Sequence, residues 1–299
     1  MTEVDTSEAS RHFGVTGLAL ILLVNVMFAL NVIAMKVVVD ATAPLLSVAL
    51  RMGIVFLICV PALRRLPGRT PWLVLYGLMN GGLFLLLLNL SLFMATNVSA
   101  LAIAGQLSVP FSLLLGALIF GEKLNGGKIA GVVLAFAGVA LLVFDPAIMH
   151  EIPAVLVMAA AALTWGGGTL VQRRLSGVSV MNMQAWNGLM GMIVLAPFAL
   201  LFERNAISGL AHVGAIPIFW FIFSCIGSTI VGQGVLAWLL QRHPISTVMP
   251  LMLASPVMAT IFASLYFGTS ITLVMIGGGL LAFAGVTIIA LSPDRSDPK

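Results

Sequence analysis

The strongest constraint on this chain is a series of ten apolar runs, most of them close to 20 residues long. They fall at about 14–38, 43–62, 71–95, 98–120, 128–147, 153–172, 180–202, 214–240, 246–267 and 270–291. A helix needs about 20 apolar residues to cross the hydrocarbon core of a bilayer. Only 8% of the residues are charged, whereas a soluble domain carries about 25%. The sequence therefore predicts an all-α membrane protein with ten transmembrane helices.

The basic residues are divided unevenly between the two sets of predicted loops. Ten spans place both termini on one side, and most of the 14 basic residues fall on that side: Arg11, Arg64, Arg65, Arg69, Lys123, Lys128, Arg173, Arg174, Arg242, Arg295 and Lys299. The other side has Arg204, while Lys36 and Arg51 lie within spans. Cytoplasmic loops are enriched in Lys and Arg. We therefore expect a multi-pass protein of the cytoplasmic (inner) membrane with both termini cytoplasmic, and no nucleic-acid partner.

An internal repeat divides the chain into two halves, 1–147 and 148–299. The hexapeptide LAFAGV occurs at 134–139 and again at 281–286, which is an offset of 147 residues. A weaker echo relates FALNVIAMK (28–36) to WGGGTLVQR (165–173). Each half holds five spans, and because five is odd the second half must enter the membrane from the opposite side. Inverted repeats of this kind are a recurring plan in secondary transporters.

The repeated block also predicts how spans 5 and 10 pack. Gly131, Ala135 and Gly138 share one helical face, and the equivalent residues of span 10 do the same: Gly278, Ala282 and Gly285. Small residues let helices approach closely in lipid. We therefore expect these two spans to be scaffold helices that do not line the substrate site.

Several of these features resemble one known family. They are the aromatic-to-base entry of each half (28–36 and 165–173), Arg51, the Phe-Gly-Glu ending of span 4 (120–122) and the AFAGV blocks. Together they resemble the drug/metabolite transporter superfamily, specifically its EamA-type family, and within it the YddG-type exporters of aromatic amino acids. The resemblance implies a five-plus-five helical fold and export of small metabolites.

The chain departs from the family pattern at three places. The first half has Phe28-Ala29 in place of Trp-Gly, and the second Phe-Gly-Glu has become Phe267-Gly268-Thr269. The second half has no arginine that matches Arg51. These departures affect charge-dependent details of the site more than the fold.

Polar and aromatic side chains inside the spans are the candidates for a substrate-binding cavity. Polar side chains within a membrane are costly and are often functional. An amide can instead bond two helices together, and Trp favours membrane interfaces. The substrate-binding candidates are Asn31, Asn80, Phe84, Gln106, Trp165, Trp186, Asn187, Gln233 and Trp238.

Two prolines and two basic residues within spans need separate interpretation. Pro110 and Pro256 remove a backbone hydrogen bond near the middle of spans 4 and 9, so we expect hinges there; the alternative is a static kink. Lys36 lies four residues before Asp40, which favours a local ion pair. Arg51 could meet a substrate carboxylate or could bond helix-end carbonyls, and we slightly favour the second role.

The distribution of acidic residues narrows the function. No Asp or Glu lies in the interior of a predicted span: Asp145 lies two residues before the end of the fifth run, and the four histidines also lie at span ends. We therefore expect no carboxylate-based proton antiport, and facilitated export or exchange of aromatic or other neutral amino acids by alternating access. The alternatives are a multidrug, sugar-phosphate or nucleotide-sugar-like transporter and, from another class, a channel or lipid scramblase.

Other function classes lack support in the sequence. No catalytic grouping, phosphate loop or metal-ligand cluster is present, so we expect no enzyme activity, no metal and no cofactor. The two cysteines, Cys59 and Cys225, lie in apolar runs and are expected to be packing residues. The expected partners are a small-molecule substrate and membrane lipid, and both a monomer and a homodimer remain open.

Overall fold

The computed structural model describes residues 15–122, 124–243, 248 and 251–292, and within these ranges all regular structure is helical. The principal helices are α1 (Val15–Ala41), α2 (Pro44–Cys59), α3 (Thr70–Met94), α4 (Val98–Phe120), α5 (Gly126–Val143), α6 (Ile152–Arg173), α7 (Val180–Phe202), α8 (215–242), α9 (Ala254–Phe267) and α10 (Leu273–Leu291). A short helix, Arg204–Gly209, lies between α7 and α8.

Eight helices in the described part of the chain are long and apolar enough to cross a membrane. They are α1 to α4, α6 to α8 and α10, and they occupy the positions of eight predicted spans. The other two apolar helices, α5 and α9, occupy the positions of predicted spans 5 and 9 but are shorter. The first part of predicted span 9 lies mostly outside the described residues. The structure thus gives eight candidate spans rather than ten.

Contacts between loops gather at two ends of the bundle. At one end, the backbone N–H of Arg64 donates to Oδ1 of Asn182, and the guanidinium of Arg173 binds Glu122; we call this the basic end, formed by loops 63–69, 121–122, 124–125 and 174–179. At the opposite end, formed by loops 42–43, 95–97, 144–151, 203–214 and 268–272, both carboxylate oxygens of Glu203 accept backbone N–H groups at the start of α2. Each contact pairs loops that the alternation of spans places on the same side.

The repeat extends to backbone details that the sequence comparison did not reveal. α3 contains a π-helical segment, Gly77–Phe84, and α8 contains a slightly longer one, Phe223–Gly232, which includes the positions that an offset of 147 residues predicts, 224–231. Gly121 and Gly268 end α4 and α9 with the same positive φ of 67°. The following helices begin with side-chain caps at equivalent positions, Asn125 and Thr272.

The small-residue faces of α5 and α10 pack directly against each other. A Cβ atom added to Gly138 would lie 2.5 Å from the backbone nitrogen of Ala282, and one added to Gly285 would lie 2.5 Å from that of Ala135. Gly131 meets Gly285 while Gly138 meets Gly278, so the two helices run antiparallel. The close packing predicted for the repeated block is present, and neither helix contributes a residue to the central cavity described below.

Helix pairing joins the two halves of the chain throughout the bundle. α2 packs along α7, which is its equivalent in the second half. α1 packs against α9, and the equivalent pair, α6 against α4, makes the same kind of contact. The halves are therefore intertwined, and neither forms a separate unit.

The α5–α10 seam yields a stability test. Gly138→Ala should lower the stability of the folded protein by about 1–3 kcal/mol, because the added methyl overpacks a backbone contact. The measurement is thermal unfolding of the detergent-solubilised protein. Gly126→Ala is the matched control in the same helix, since no atom lies within 4 Å of its added Cβ. Equal unfolding temperatures for the two variants would contradict the seam.

Candidate functional site

A cavity of about 210 Å³ lies among α1, α3, α4 and α6. Both halves of the chain line it, because α6 belongs to the second half. Its wall is mostly apolar, with Asn31 and Ser108 as polar residues and the rings of Phe84 and Trp165 as aromatic ones. The sulfur-containing side chains of Met35 and Met158 add adaptable apolar surface. An apolar cavity with few polar groups is the usual form of a small-molecule site.

Two aromatic rings and one amide give this central cavity its chemistry. The ring centroids of Phe84 and Trp165 are 4.7 Å apart at an interplanar angle of 50°. The hydroxyl of Ser224 in α8 donates to Oδ1 of Asn31 over 2.8 Å. That bond connects the cavity wall to the π-helical segment of α8.

Three of the remaining candidates lie together, away from the central cavity. Nδ2 of Asn187 donates to Oε1 of Gln184 over 3.3 Å, and Nε2 of Gln184 donates to Oε1 of Gln233 over 3.1 Å. This chain of amides links α7 to α8. Gln184 and Trp238 also line a cleft of about 320 Å³ among α2, α7 and α8. The amides thus bond helices together, as the alternative interpretation allowed, and they do so beside a second cleft.

The other three candidates do not line the central cavity. Asn80 is buried against α6, where a Cβ added to Gly168 would lie 2.4 Å from its Oδ1. Gln106 lies in a 3-10 turn of α4. The indole N–H of Trp186 donates to the carbonyl oxygen of Arg64 over 3.2 Å, and its ring is buried at the basic end.

The two prolines follow interruptions of regular helix. In α4 the 3-10 turn Gly105–Leu107 precedes Pro110, whose ring excludes a normal hydrogen bond to the carbonyl of Gln106. Pro256 is the third residue of α9, just after a turn at 252–253. Pro256 therefore lies near the beginning of the described helix and not at its middle.

The charged residues within spans differ in their bonding. Nζ of Lys36 binds Oδ1 of Asp40 at 2.7 Å, which is the local ion pair that the sequence predicts. Asp40 lies in the last turn of α1, because this helix continues to Ala41, beyond the predicted boundary at 38. The prediction of spans without any carboxylate therefore holds for the helix interiors but not for this helix end.

Arg51 is a site residue for which the sequence suggested a different partner. Its Nη2 donates to the hydroxyl of Thr229 in α8 over 2.9 Å, and no helix-end carbonyl of the described residues accepts from it. Its Nε and Nη1 atoms are buried and have no hydrogen-bond partner within the described part of the chain. With Ser47, Asn89 and Ser224 it lines a small cavity of about 10 Å³. Short hydroxyl residues such as Thr229 and Ser224 gave no signal, because Ser and Thr are common wherever membrane helices pack together.

The two ends of the bundle are packed differently. At the basic half, Gly77 and Gly81 of α3 contact the backbone of α7, so that a Cβ added to Gly81 would lie 2.1 Å from the carbonyl oxygen of Asn187. At the opposite half, the equivalent helices α8 and α2 are separated by a cavity of about 180 Å³. Its lining includes Val38, Ser47 and Phe221, which also line the small cavity beside Arg51.

The three cavities follow one another along α1. The small cavity shares Met35 with the central cavity and shares Val38 with the cavity between α2 and α8. They mark a path from the centre of the bundle towards the opposite end. The α3–α7 contact lies on the other side of the centre.

Charged contacts reinforce the packing of α3, α4 and α6 at the basic end. Arg173 at the end of α6 binds Glu122 after α4, with 2.7 Å between Nη1 and Oε1. The neighbouring guanidinium of Arg174 lies over the rings of Trp72 and Phe120, at 5.6 Å and 5.4 Å from their centroids. These contacts join α3, α4 and α6 at the mouth of the bundle.

Known proteins similar to this chain include a transporter family, two efflux pumps and a solved structure. The sequence model of the EamA-like transporter family matches residues 15–144 and 152–291. A protein of Escherichia coli (strain K12) named "Probable amino-acid metabolite efflux pump" is 29% identical over 282 residues, covering 90% of this chain and 93% of that protein. A Salmonella typhimurium protein of the same name is 28% identical over 279 residues, with the same coverage. A solved crystal structure with 18% identity covers 91% of this chain and 96% of its own, at a TM-score of 0.52, which supports the fold.

The α3–α7 contact can be tested with two adjacent glycines. Gly81→Ala should push α3 away from α7, whereas Gly82→Ala is the control, because its added Cβ would meet nothing closer than 3.8 Å. Overpacking of about 1–3 kcal/mol would shift the equilibrium between packed and separated α3 and α7 about 5- to 150-fold towards separation. Met190→Cys is introduced into a background in which Cys59 and Cys225 are replaced by Ala. The measurement is the rate at which a water-soluble maleimide alkylates the introduced thiol, and Gly81→Ala should raise this rate. Equal rates in both glycine variants would contradict this assignment of the contact.

Proposed function

This chain belongs to the EamA-like transporter family, and from that premise we propose that it exports amino acids or similar small metabolites by alternating access. The family match covers both halves. The chain is a multi-pass membrane transporter and not an enzyme. The two efflux pumps described above support amino-acid metabolites as the substrate class. Aromatic and other neutral amino acids are the specific substrates that we propose.

The central cavity is the observation that carries this proposal. It lies between helices of both halves, and its volume of about 210 Å³ suits a small metabolite better than a bulky drug. Phe84 and Trp165 would hold an aromatic or aliphatic side chain, since aromatic rings favour tilted or offset contacts at this spacing. Asn31 supplies an amide for a polar group of the substrate. Of the nine predicted residues, these three are the ones that we propose as direct contacts.

The proposed architecture is ten transmembrane helices in two inverted repeats, 1–147 and 148–299. The antiparallel packing of the equivalent helices α5 and α10 supports inversion, because two copies in the same orientation would place these helices parallel. The matching π-helical segments and helix ends support the repeat itself. In this architecture α5 and α9 are spans despite their length, since a short span is accommodated by local thinning of the bilayer.

The proposed sidedness places the basic end in the cytoplasm, with both termini. The excess of Lys and Arg in its loops supports this orientation. The closed α3–α7 contact would then make the structure an outward-facing state, with the path along α1 leading to the exterior. Pro110 and Pro256 are proposed as hinges in the transition, and the interruptions that precede them support bending at these points.

The proposed coupling is facilitative export or exchange without a proton. Beyond Asp40 in the last turn of α1, the carboxylates of the described residues lie in loops: Glu122, Asp145, Glu151 and Glu203. The multidrug alternative is weaker, since a cationic drug would need an acid in the central cavity and none lines it. The channel or scramblase alternative is weaker too, because the α3–α7 contact interrupts the path.

Substitution of the cavity tryptophan tests the binding site. Trp165→Leu should raise KM for L-phenylalanine about 3- to 10-fold in proteoliposomes, because it removes an aromatic contact of about 0.5–1.5 kcal/mol. Trp220→Leu is the control, since the Trp220 indole binds the Tyr266 hydroxyl away from the cavity. If both substitutions raised KM equally, the central cavity would not be the binding site for the substrate.

Flux measurements test the transport mode. Proteoliposomes loaded with unlabelled L-phenylalanine should take up the labelled amino acid by saturable counterflow. A pH gradient alone should drive no accumulation, because the proposed site holds no titrating carboxylate. Accumulation under the pH gradient would overturn the facilitative mode, and flux that does not saturate would favour a channel.

A further inference from the structure

We propose that Arg51 binds the carboxylate of the substrate, which restricts the substrates to small molecules with a free carboxylate group. This inference rests on the proposed transport function and specifies its substrate class. It starts from an electrostatic imbalance in the middle of α2. A guanidinium carries five N–H bonds and stays protonated in proteins. Three of these bonds belong to Nε and Nη1, which are both buried and find no hydrogen-bond partner among the residues that the structure describes.

No carboxylate of the described chain neutralises this charge. Each of the described carboxylates has a partner elsewhere: Asp40 binds Lys36, Glu122 binds Arg173, Asp145 and Glu151 bind Thr272 and Thr96, and Glu203 caps α2. The hydroxyl of Thr229 accepts one hydrogen bond from Arg51 but carries no charge, and it donates to the Ser224 carbonyl. An unpaired buried cation is costly. No described residue supplies the anion that would complete this site, and the proposal assigns that anion to the substrate.

The position of Arg51 suits an anion that enters with the substrate. The small cavity that it lines has room for about one water-sized group, so a carboxylate bound by Arg51 would lie partly in the adjoining cavities. This cavity adjoins the central cavity at Met35 and the outer path at Val38 and Ser47. A substrate could place its apolar part between Phe84 and Trp165 and direct its carboxylate towards Arg51.

Hydrogen bonds between helices connect Arg51 to the central cavity through α8. Thr229 and Ser224 belong to the π-helical segment of α8, and Ser224 also binds Asn31 of the central cavity. π-helical segments are frequent at functional sites. A carboxylate bound by Arg51 would thus lie between α2 and α8, the two helices that must approach each other to close the outer path. Guanidinium is suited to this role because it forms charge-assisted hydrogen bonds with carboxylates.

The test compares two probes that differ at the carboxylate: L-phenylalanine and L-phenylalaninamide. Binding is measured by the ligand-dependent rise in unfolding temperature of the purified full-length protein, and transport by counterflow in proteoliposomes. The unsubstituted protein should prefer the acid. Arg51→Gln should weaken binding of L-phenylalanine about 10- to 100-fold, the loss of a charged hydrogen bond, and should leave binding of the amide unchanged. Arg51→Lys should restore part of the preference.

Two control variants separate substrate binding from a structural role. Thr229→Val removes the bond between Arg51 and α8 but keeps the charge, so it should retain the preference for the acid. Lys36→Gln removes another cation of the spans, one that is paired with Asp40, and should also retain it. If Arg51→Gln and Thr229→Val weakened both probes equally, Arg51 would be a helix-bonding residue and the proposal would fall.

The outcomes also separate this inference from the transport proposal. If Arg51→Gln still bound and transported L-phenylalanine as the unsubstituted protein does, the carboxylate site would be overturned while amino-acid transport stood. If the unsubstituted protein moved none of the twenty amino acids, the transport proposal itself would fall. Elution of Arg51→Gln as a single symmetric peak in size-exclusion chromatography shows that it folds.

Discussion

Direct contact between helix backbones at glycine is the interaction on which this bundle depends. In a membrane the apolar surfaces of helices gain little by leaving lipid, so association relies on close packing. Gly138 and Gly285 allow α5 and α10 to meet, and Gly81 brings α3 onto α7. Gly188 brings α7 onto α2, and Gly166 brings α6 onto α4. Each contact joins backbone atoms that any Cβ would separate, and these contacts fix how the two halves intertwine.

Much of this helix arrangement could be predicted from the sequence, because it depends on composition and on residue size. Runs of apolar residues marked eight of the helices that can cross a membrane, and LAFAGV located the α5–α10 seam. The lengths of α5 and α9 could not be predicted in the same way, since helix ends at these places are set by backbone conformation and not by a change in polarity: Gly121 ends α4 before α5 begins, and Gly268 ends α9 itself. The π-helical segments were not predicted either, because their glycines and small polar residues are equally typical of a helix face that packs closely against a neighbour.

The site was harder to predict, for a related physical reason. An amide within a span can face a cavity or another helix, and the rotation of its helix decides which. A π-helical segment alters that rotation by inserting a residue. Asn31 faces the central cavity while Gln184 and Gln233 bond to each other, yet the three are chemically alike. Trp186 illustrates the same difficulty, since its indole N–H is satisfied by a loop carbonyl far from the cavity. Spacing along the chain does not contain this information.

The glycines at the α3–α7 contact have consequences for kinetics. Their equivalents in α8, at an offset of 147 residues, are Ser224 and Ser228. Serine carries a side chain where glycine leaves the backbone bare, so α8 and α2 would meet through hydroxyls and with less intimate contact. Because the α3–α7 contact is closer than the α8–α2 contact would be, the inward- and outward-facing states would be occupied unequally. Half-saturation concentrations on the two faces would then differ, and for a carrier without coupling the maximal rates must differ in the same proportion. The direction of net flow follows the substrate gradient, and the asymmetry determines at which concentrations each face works efficiently.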